Sequence, residues 1–108
     1  MYEYHATLIR AIDGDTVELD IDLGCCVHSH QICRLRGINC PEMTGPDRDA
    51  GNRASLYTRY ELAERALLIK THKDSSDKYG RLLVDIWIDG VLFNDTIVTA
   101  GHAVKKAY

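Results

Sequence analysis

Thr16-Val17-Glu18-Leu19-Asp20-Ile21-Asp22-Leu23 alternates apolar and polar side chains without a break. Val17, Leu19, Ile21 and Leu23 point one way, while Thr16, Glu18, Asp20 and Asp22 point the other. A strict period of two over eight residues predicts a half-buried strand, because successive side chains of an extended chain project to opposite faces. Upstream, residues 6–12 read as a first strand, and Asp13-Gly14-Asp15 supplies turn residues between the two. Downstream, Gly24 opens a loop and residues 32–37 read as a third strand carrying Arg34 and Arg36. Three consecutive strands with short connections predict an antiparallel meander.

Residues 39–49, rich in Pro, Gly and Asp, read as loop. A helix is expected over 49–68, with Leu56, Tyr60, Ala63 and Leu67 recurring at steps of four, three and four along one stripe. Glu61 and Arg65 are spaced for an i,i+4 ion pair on its wet side. A short strand at 69–72 and a polar loop at 73–77 follow. Residues 82–88 alternate again, with Leu82, Val84, Ile86 and Ile88 on one face. Asp89-Gly90 suits a tight hairpin turn, and Phe93, Ile97 and Ala100 fit a second short helix stopped by Gly101. The order predicts a mainly β (α+β) fold: a five-stranded Greek-key barrel of the OB type, with one helix between strands three and four and a short C-terminal helix.

The chain has 108 residues and a net charge of −3, from 13 Lys and Arg against 16 Asp and Glu. That length predicts one domain spanning 1–108. With 45% hydrophobic and 27% charged residues the composition is globular rather than disordered. No apolar run approaches the roughly 20 residues of a membrane span. The first residues lack the basic and apolar regions of a secretory signal, from which a cytoplasmic location is expected. Four cysteines then read as free thiols in a reducing compartment. An acidic chain does not hold polyanions by bulk charge, so any such partner must be met by a few placed cations or a metal.

Several residues have the chemistry for that. Asp13-Gly14-Asp15 is either a turn with solvated carboxylates or a support for a hard cation, which takes oxygen ligands. Arg34 is either a strand arginine reaching along the surface or, with Arg36, a phosphate ligand. Asp77-Lys78-Tyr79-Gly80-Arg81 mixes cations, a ring and a glycine, a combination able to hold a phosphate and stack a base. Glu42 is a carboxylate beside the rigid Pro41. Each alone reads equally well as a surface residue.

Taken together, the motifs resemble a family. Ala6-Thr7-Leu8-Ile9-Arg10-Ala11-Ile12-Asp13-Gly14-Asp15-Thr16-Val17 is similar to the opening of the staphylococcal nuclease (thermonuclease-like) family. So are Arg34-Leu35-Arg36-Gly37-Ile38-Asn39-Cys40-Pro41-Glu42, Asp77-Lys78-Tyr79-Gly80-Arg81, and the stretch from Asp89-Gly90 to Ala100-Gly101-His102-Ala103. The resemblance is colinear over essentially the whole chain. It implies that Asp15, Asn39 and the backbone carbonyl of Cys40 ligate Ca²⁺, with Asp13 a carboxylate close behind them. It implies that Glu42 is general base or water orienter, and that Arg34 and Arg81 bind the scissile phosphate. Lys78 and Tyr79 would contact a terminal phosphate and the nucleotide of a DNA or RNA substrate.

Three departures bear on that set. Asn39 stands where the staphylococcal enzyme has Asp, which removes one charge from the metal site but keeps a carbonyl oxygen. The loop between the second and third strands is expected to be longer, and carries Cys25, Cys26, His28 and His30, with Cys33 nearby. A Cys/His cluster of this kind invites a zinc reading, but adjacent cysteines followed by alternating histidines match no known zinc-ligand spacing, which favours a polar hairpin with free thiols over zinc. The chain stops at Tyr108, short of the C-terminal helix of the staphylococcal protein. The expected activity is calcium-dependent hydrolysis of DNA and RNA with low sequence specificity. The alternative is a catalytically inactive OB-fold module that binds single-stranded nucleic acid or a protein.

Overall fold

The computed structural model describes residues 2–76 and 80–106, with the side chains of 72–76 left aside. Asp77, Lys78, Tyr79 and Tyr108, singled out in the sequence, lie outside the described residues. Five strands close a barrel: β1 (Tyr2–Asp13), β2 (Thr16–Asp22), β3 (His28–Leu35), β5 (Leu67–Ser76) and β6 (Leu82–Ile88). β1 pairs antiparallel with both β2 and β5, β2 with β3, and β5 with β6. The parallel pairing of β3 with β6, Cys33 opposite Leu82 and Leu35 opposite Val84, closes the cylinder. This is the expected OB-type barrel. The two-residue strand β7 (Val91–Leu92) pairs with β6 at the edge of this sheet, while β4 (Ile38–Asn39) and β8 (Val104–Lys105) form a separate two-stranded sheet. Helix α1 (Arg48–Leu62) lies between β4 and β5, and α2 (Phe93–Thr99) follows β7.

β1 can serve two neighbours because it bends. Its register with β2 shifts between Leu8 and Arg10 and again between Ala11 and Asp13, and such bulges increase the local twist. The alternation in β2 does what its pattern requires, with Val17, Leu19 and Ile21 buried in the barrel. Leu23 does not join them. β2 ends at Asp22, and Leu23 turns into the hairpin loop, 48% exposed. In β6, Val84 and Ile86 are buried, while Leu82 and Ile88 pack at the core margin.

β5 begins at Leu67 and runs to Ser76, so the polar segment expected as loop continues a strand. Helix α1 is correspondingly shorter than 49–68, and Arg65 lies beyond its end. Its buried face also differs from the expected stripe. Leu56 and Tyr60 are exposed at 61% and 78%, whereas Gly51, Ala54, Thr58 and Leu62 are buried. Small side chains let the helix backbone approach the β1–β2 turn closely, and that approach outweighs the burial of the larger residues.

Asp89 and Gly90 both take positive φ, as a two-residue hairpin between β6 and β7 requires. At the end of α2, Gly101 is left-handed (φ 86°), its N–H donating to Val98 O and that of His102 to Ile97 O. These two bonds close the helix with a Schellman turn. Phe93 and Ile97 are buried as expected; Ala100 lies past the helix and is exposed. No described helix is long and apolar enough to cross a membrane.

Candidate active site

One end of the barrel gathers the β1–β2 turn, the end of β3, the segment 39–42 and the start of β6. Asp15 is buried at the turn. Its Oδ2 accepts from the Cys40 amide at 2.8 Å and pairs with Arg34 Nη1 at 3.0 Å, and its Oδ1 accepts from Thr16 Oγ1 at 3.2 Å. Arg34 is 7% exposed, on the face of β3 opposite Cys33 and Leu35. It is not a surface arginine. Its Nη2 also donates to Asn39 Oδ1 at 3.2 Å, so one guanidinium spans the two side-chain oxygens expected to hold a cation. Arg81 reaches in from before β6, and its Nη1 donates to Thr16 Oγ1 at 3.4 Å.

Asp13 stands in the field of these charges. Its carboxyl is held above the ordinary 3.8, first by burial and then by the charges of Asp15 and Glu42, opposed by Arg34 and Arg81. Asp13, Asp15, Arg34, Glu42 and Arg81 therefore share one electrostatic neighbourhood, with Glu42 exposed at its rim. Asn39 and Cys40 join it through Arg34 and Asp15. Lys78 and Tyr79 lie outside the described residues.

Arg36, read beside Arg34 as a phosphate ligand, is half exposed and 3.8 Å from Asp85 Oδ2. The Cys/His hairpin stands apart from this set: Cys25 and Cys26 sit exposed in the turn with φ of 53° and 62°. His28 and His30 belong to β3 and face the Asp20 carboxylate, at 3.0 and 3.7 Å. Among the described residues, no three His, Cys, Asp or Glu side chains converge as a metal cluster.

Three contributors escaped the sequence reading. Thr16 bridges Asp15 and Arg81. Gly51 of α1 lies against the site loop, where a Cβ would overlap the Glu42 carbonyl and stand 2.8 Å from Met43 N. Thr58, fully buried, donates from Oγ1 to Gly14 O at 2.7 Å. The signal for the last two was present: Gly51, Ala54, Thr58 and Leu62 recur at three, four and four, a helical stripe of mostly small residues.

A closed OB-type barrel bearing carboxylates and two guanidinium groups at one end is the class that this fold and site define. The chain belongs to the family of staphylococcal nuclease homologues, whose pattern matches residues 32–108. It is 32% identical over 104 residues to a thermonuclease of Staphylococcus hyicus, covering 94% of this chain and 59% of that protein. It is 31% identical over 102 residues to a thermonuclease of Staphylococcus intermedius, covering 92% and 58%. To the endonuclease YncB of Bacillus subtilis (strain 168) it is 31% identical over 108 residues, covering 96% and 48%. The chain thus spans roughly half to three-fifths of these relatives.

Proposed function

We propose that this chain is a calcium-dependent nuclease that hydrolyses phosphodiester bonds of DNA and RNA with low sequence specificity. The observation that carries the reading is the geometry at one barrel end, where Asp15 pairs with Arg34 and Thr16 joins Asp15 to Arg81. The names of the thermonuclease and endonuclease relatives agree with it. A phosphodiester repels an attacking hydroxide and gains further charge as its bond breaks. Arg34 and Arg81 would donate N–H bonds to the non-bridging oxygens, a preorganised arrangement that is commonly the largest catalytic contribution. Glu42, at the exposed rim, would orient a water and take its proton as oxygen attacks phosphorus and the bond to the leaving sugar oxygen breaks. Lys78 and Tyr79 would contact a terminal phosphate and the nucleotide.

Asp15, Asn39 and the Cys40 carbonyl would hold the calcium, with Asp13 behind them. The donors are all oxygen, as a hard cation requires, and one guanidinium already faces Asp15 Oδ2 and Asn39 Oδ1 together, so these two oxygens share a direction. When bound, the ion supplies positive charge to the phosphate oxygens.

Digestion of heat-denatured DNA in calcium and in chelator tests the reading. Cleavage is expected with calcium alone, and Arg81→Ala should lower the rate by about 10²–10³. Raised calcium affinity in Asn39→Asp would support the placement of the ion. Absence of metal-dependent cleavage, or full activity in Glu42→Ala, would overturn it. The second reading, a non-catalytic binding module, is favoured by Asn39 in place of a carboxylate. A module of that kind shifts oligonucleotide mobility in chelator and leaves the strand intact when calcium returns.

A further inference from the structure

We propose that Thr58 is a positioning residue: through Gly14 it fixes the turn that carries Asp15 against the segment that carries Cys40 and Glu42. The role assigned to the site rests on the nuclease reading; the clamp itself does not.

A threonine inside a helix ordinarily turns its hydroxyl to water or back to the carbonyl four residues earlier, and its branched side chain makes it a poorer helix former than alanine. Thr58 instead faces inward with no exposed surface, and its hydroxyl crosses from α1 to Gly14 O at 2.7 Å. Gly14 is buried too, although it belongs to a turn. A Cβ there would stand 2.8 Å from Cys40 Sγ and 2.9 Å from Ala54 Cβ, so the turn is wedged between α1 and the 39–42 segment. Next along the chain, Asp15 grips that segment through the Cys40 amide at 2.8 Å and holds Arg34 at 3.0 Å. Seven residues earlier on the same helix, Gly51 seats the other site loop, packed against the Glu42 carbonyl.

The inner stripe of α1 is therefore a common bed for the two loops, and Thr58 supplies its directional bond. Polar bonds hold a direction that apolar contact does not, which is why a hydroxyl rather than a methyl suits this position. Loss of the bond should let the turn shift by a fraction of an ångström while the barrel persists. The phosphate would still find Arg81, so binding should change less than turnover.

The test compares Thr58→Val, which keeps the shape and removes the donor, with Thr58→Ser, which keeps the donor. Ile97→Val, in the core of α2, serves as a control for destabilisation alone. On single-stranded DNA with calcium, Thr58→Val should lower kcat by about 10–100-fold with KM within about threefold, since small misplacements of reacting groups cost that much. Thr58→Ser should recover most of the loss, and Ile97→Val should match wild type. Amide hydrogen exchange gives a readout independent of activity. In chelator, the Cys40 amide should exchange at least about tenfold faster in Thr58→Val than in Ile97→Val of matched stability, because local opening no longer needs that bond broken.

Equal kcat and equal Cys40 exchange in Thr58→Val and Ile97→Val would overturn the proposal, as would failure of Thr58→Ser to outperform Thr58→Val. Should Thr58→Val not fold, Thr58→Ala, which leaves space for a water at the vacated hydroxyl, carries the same comparison. If the wild type cleaves nothing, the nuclease reading falls, and Cys40 exchange by itself decides the clamp.

Discussion

Asp15 accepts from a backbone amide, a hydroxyl and a guanidinium, and it is the charge on which the other site groups register. Asp13, two residues earlier, is less favourably placed. Burial and neighbouring carboxylates raise its pKa above 3.8 in the fold, so the folded state favours the protonated form more than the unfolded chain does. Stability linked to this group is present below 3.8, falls as pH rises through the folded-state value, and stays lower above it. In chelator, Asp13→Asn should therefore have a higher Tm than wild type at pH 7, with the difference closing towards pH 3. Thermal melts across that range check it; a lower Tm at pH 7 would contradict the sign. The cysteines divide as sharply. Burial pushes Cys33 and Cys40 up to about 12, while Cys25 and Cys26 are exposed at the hairpin tip. A thiol reagent at pH 8 should modify Cys25 and Cys26 in the native protein and reach the other pair only on unfolding. Mass mapping of the labelled sites decides it.

For an element, the decisive case is α1. Propensity alone says that Gly to Ala in a helix stabilises by about 1 kcal/mol. At Gly51 the new methyl would meet the Glu42–Met43 backbone, which has no flexible end to move aside. Packing should win, and Gly51→Ala should lose about 1–3 kcal/mol and displace Glu42 from the site. Asn52, next in sequence and exposed, carries no such contact, and Asn52→Ala should gain up to about 0.7 kcal/mol. Opposite signs at adjacent positions, read by urea unfolding, would establish that the helix is set by the loops beneath it. The expected stripe of Leu56 and Tyr60 failed for the same reason. Periodicity of large apolar residues marks the face with most to bury, whereas α1 buries the face on which backbones must come closest.

Across the whole molecule, α2 is tied to the barrel and to the end of β3. Asn94, 3% exposed, accepts from the Ile86 amide at 3.1 Å and donates to Arg36 O at 2.9 Å and Val84 O at 3.3 Å. Tyr57 stacks on Phe93 at 6.2 Å and meets His102 at 4.7 Å, tying α1 to α2 from the other side. Asn94→Leu would remove the acceptor of the buried Ile86 amide, at about 1–3 kcal/mol, while Val84 O keeps the Arg36 N–H at 2.9 Å. Tm should fall by roughly 4–8 °C for every kcal/mol lost. An unchanged Tm would mean that the barrel closes without this tie.

The strands of the barrel and the turns at Asp89-Gly90 and Gly101 were legible in the linear chain, because alternation and turn chemistry are local properties. Asp15, Arg34, Glu42 and Arg81 stood out only through the resemblance to a family, since each alone reads equally well as a surface residue. Their assembly was not legible. Whether Arg34 reaches solvent or lies against Asp15, which face of α1 turns inward, and why Gly14, Gly51 and Thr58 occupy their positions depend on how closely separate backbones approach. That distance is decided by packing between segments far apart in sequence: the small-residue stripe of α1 marks a face in the linear chain, but not the loops that it meets.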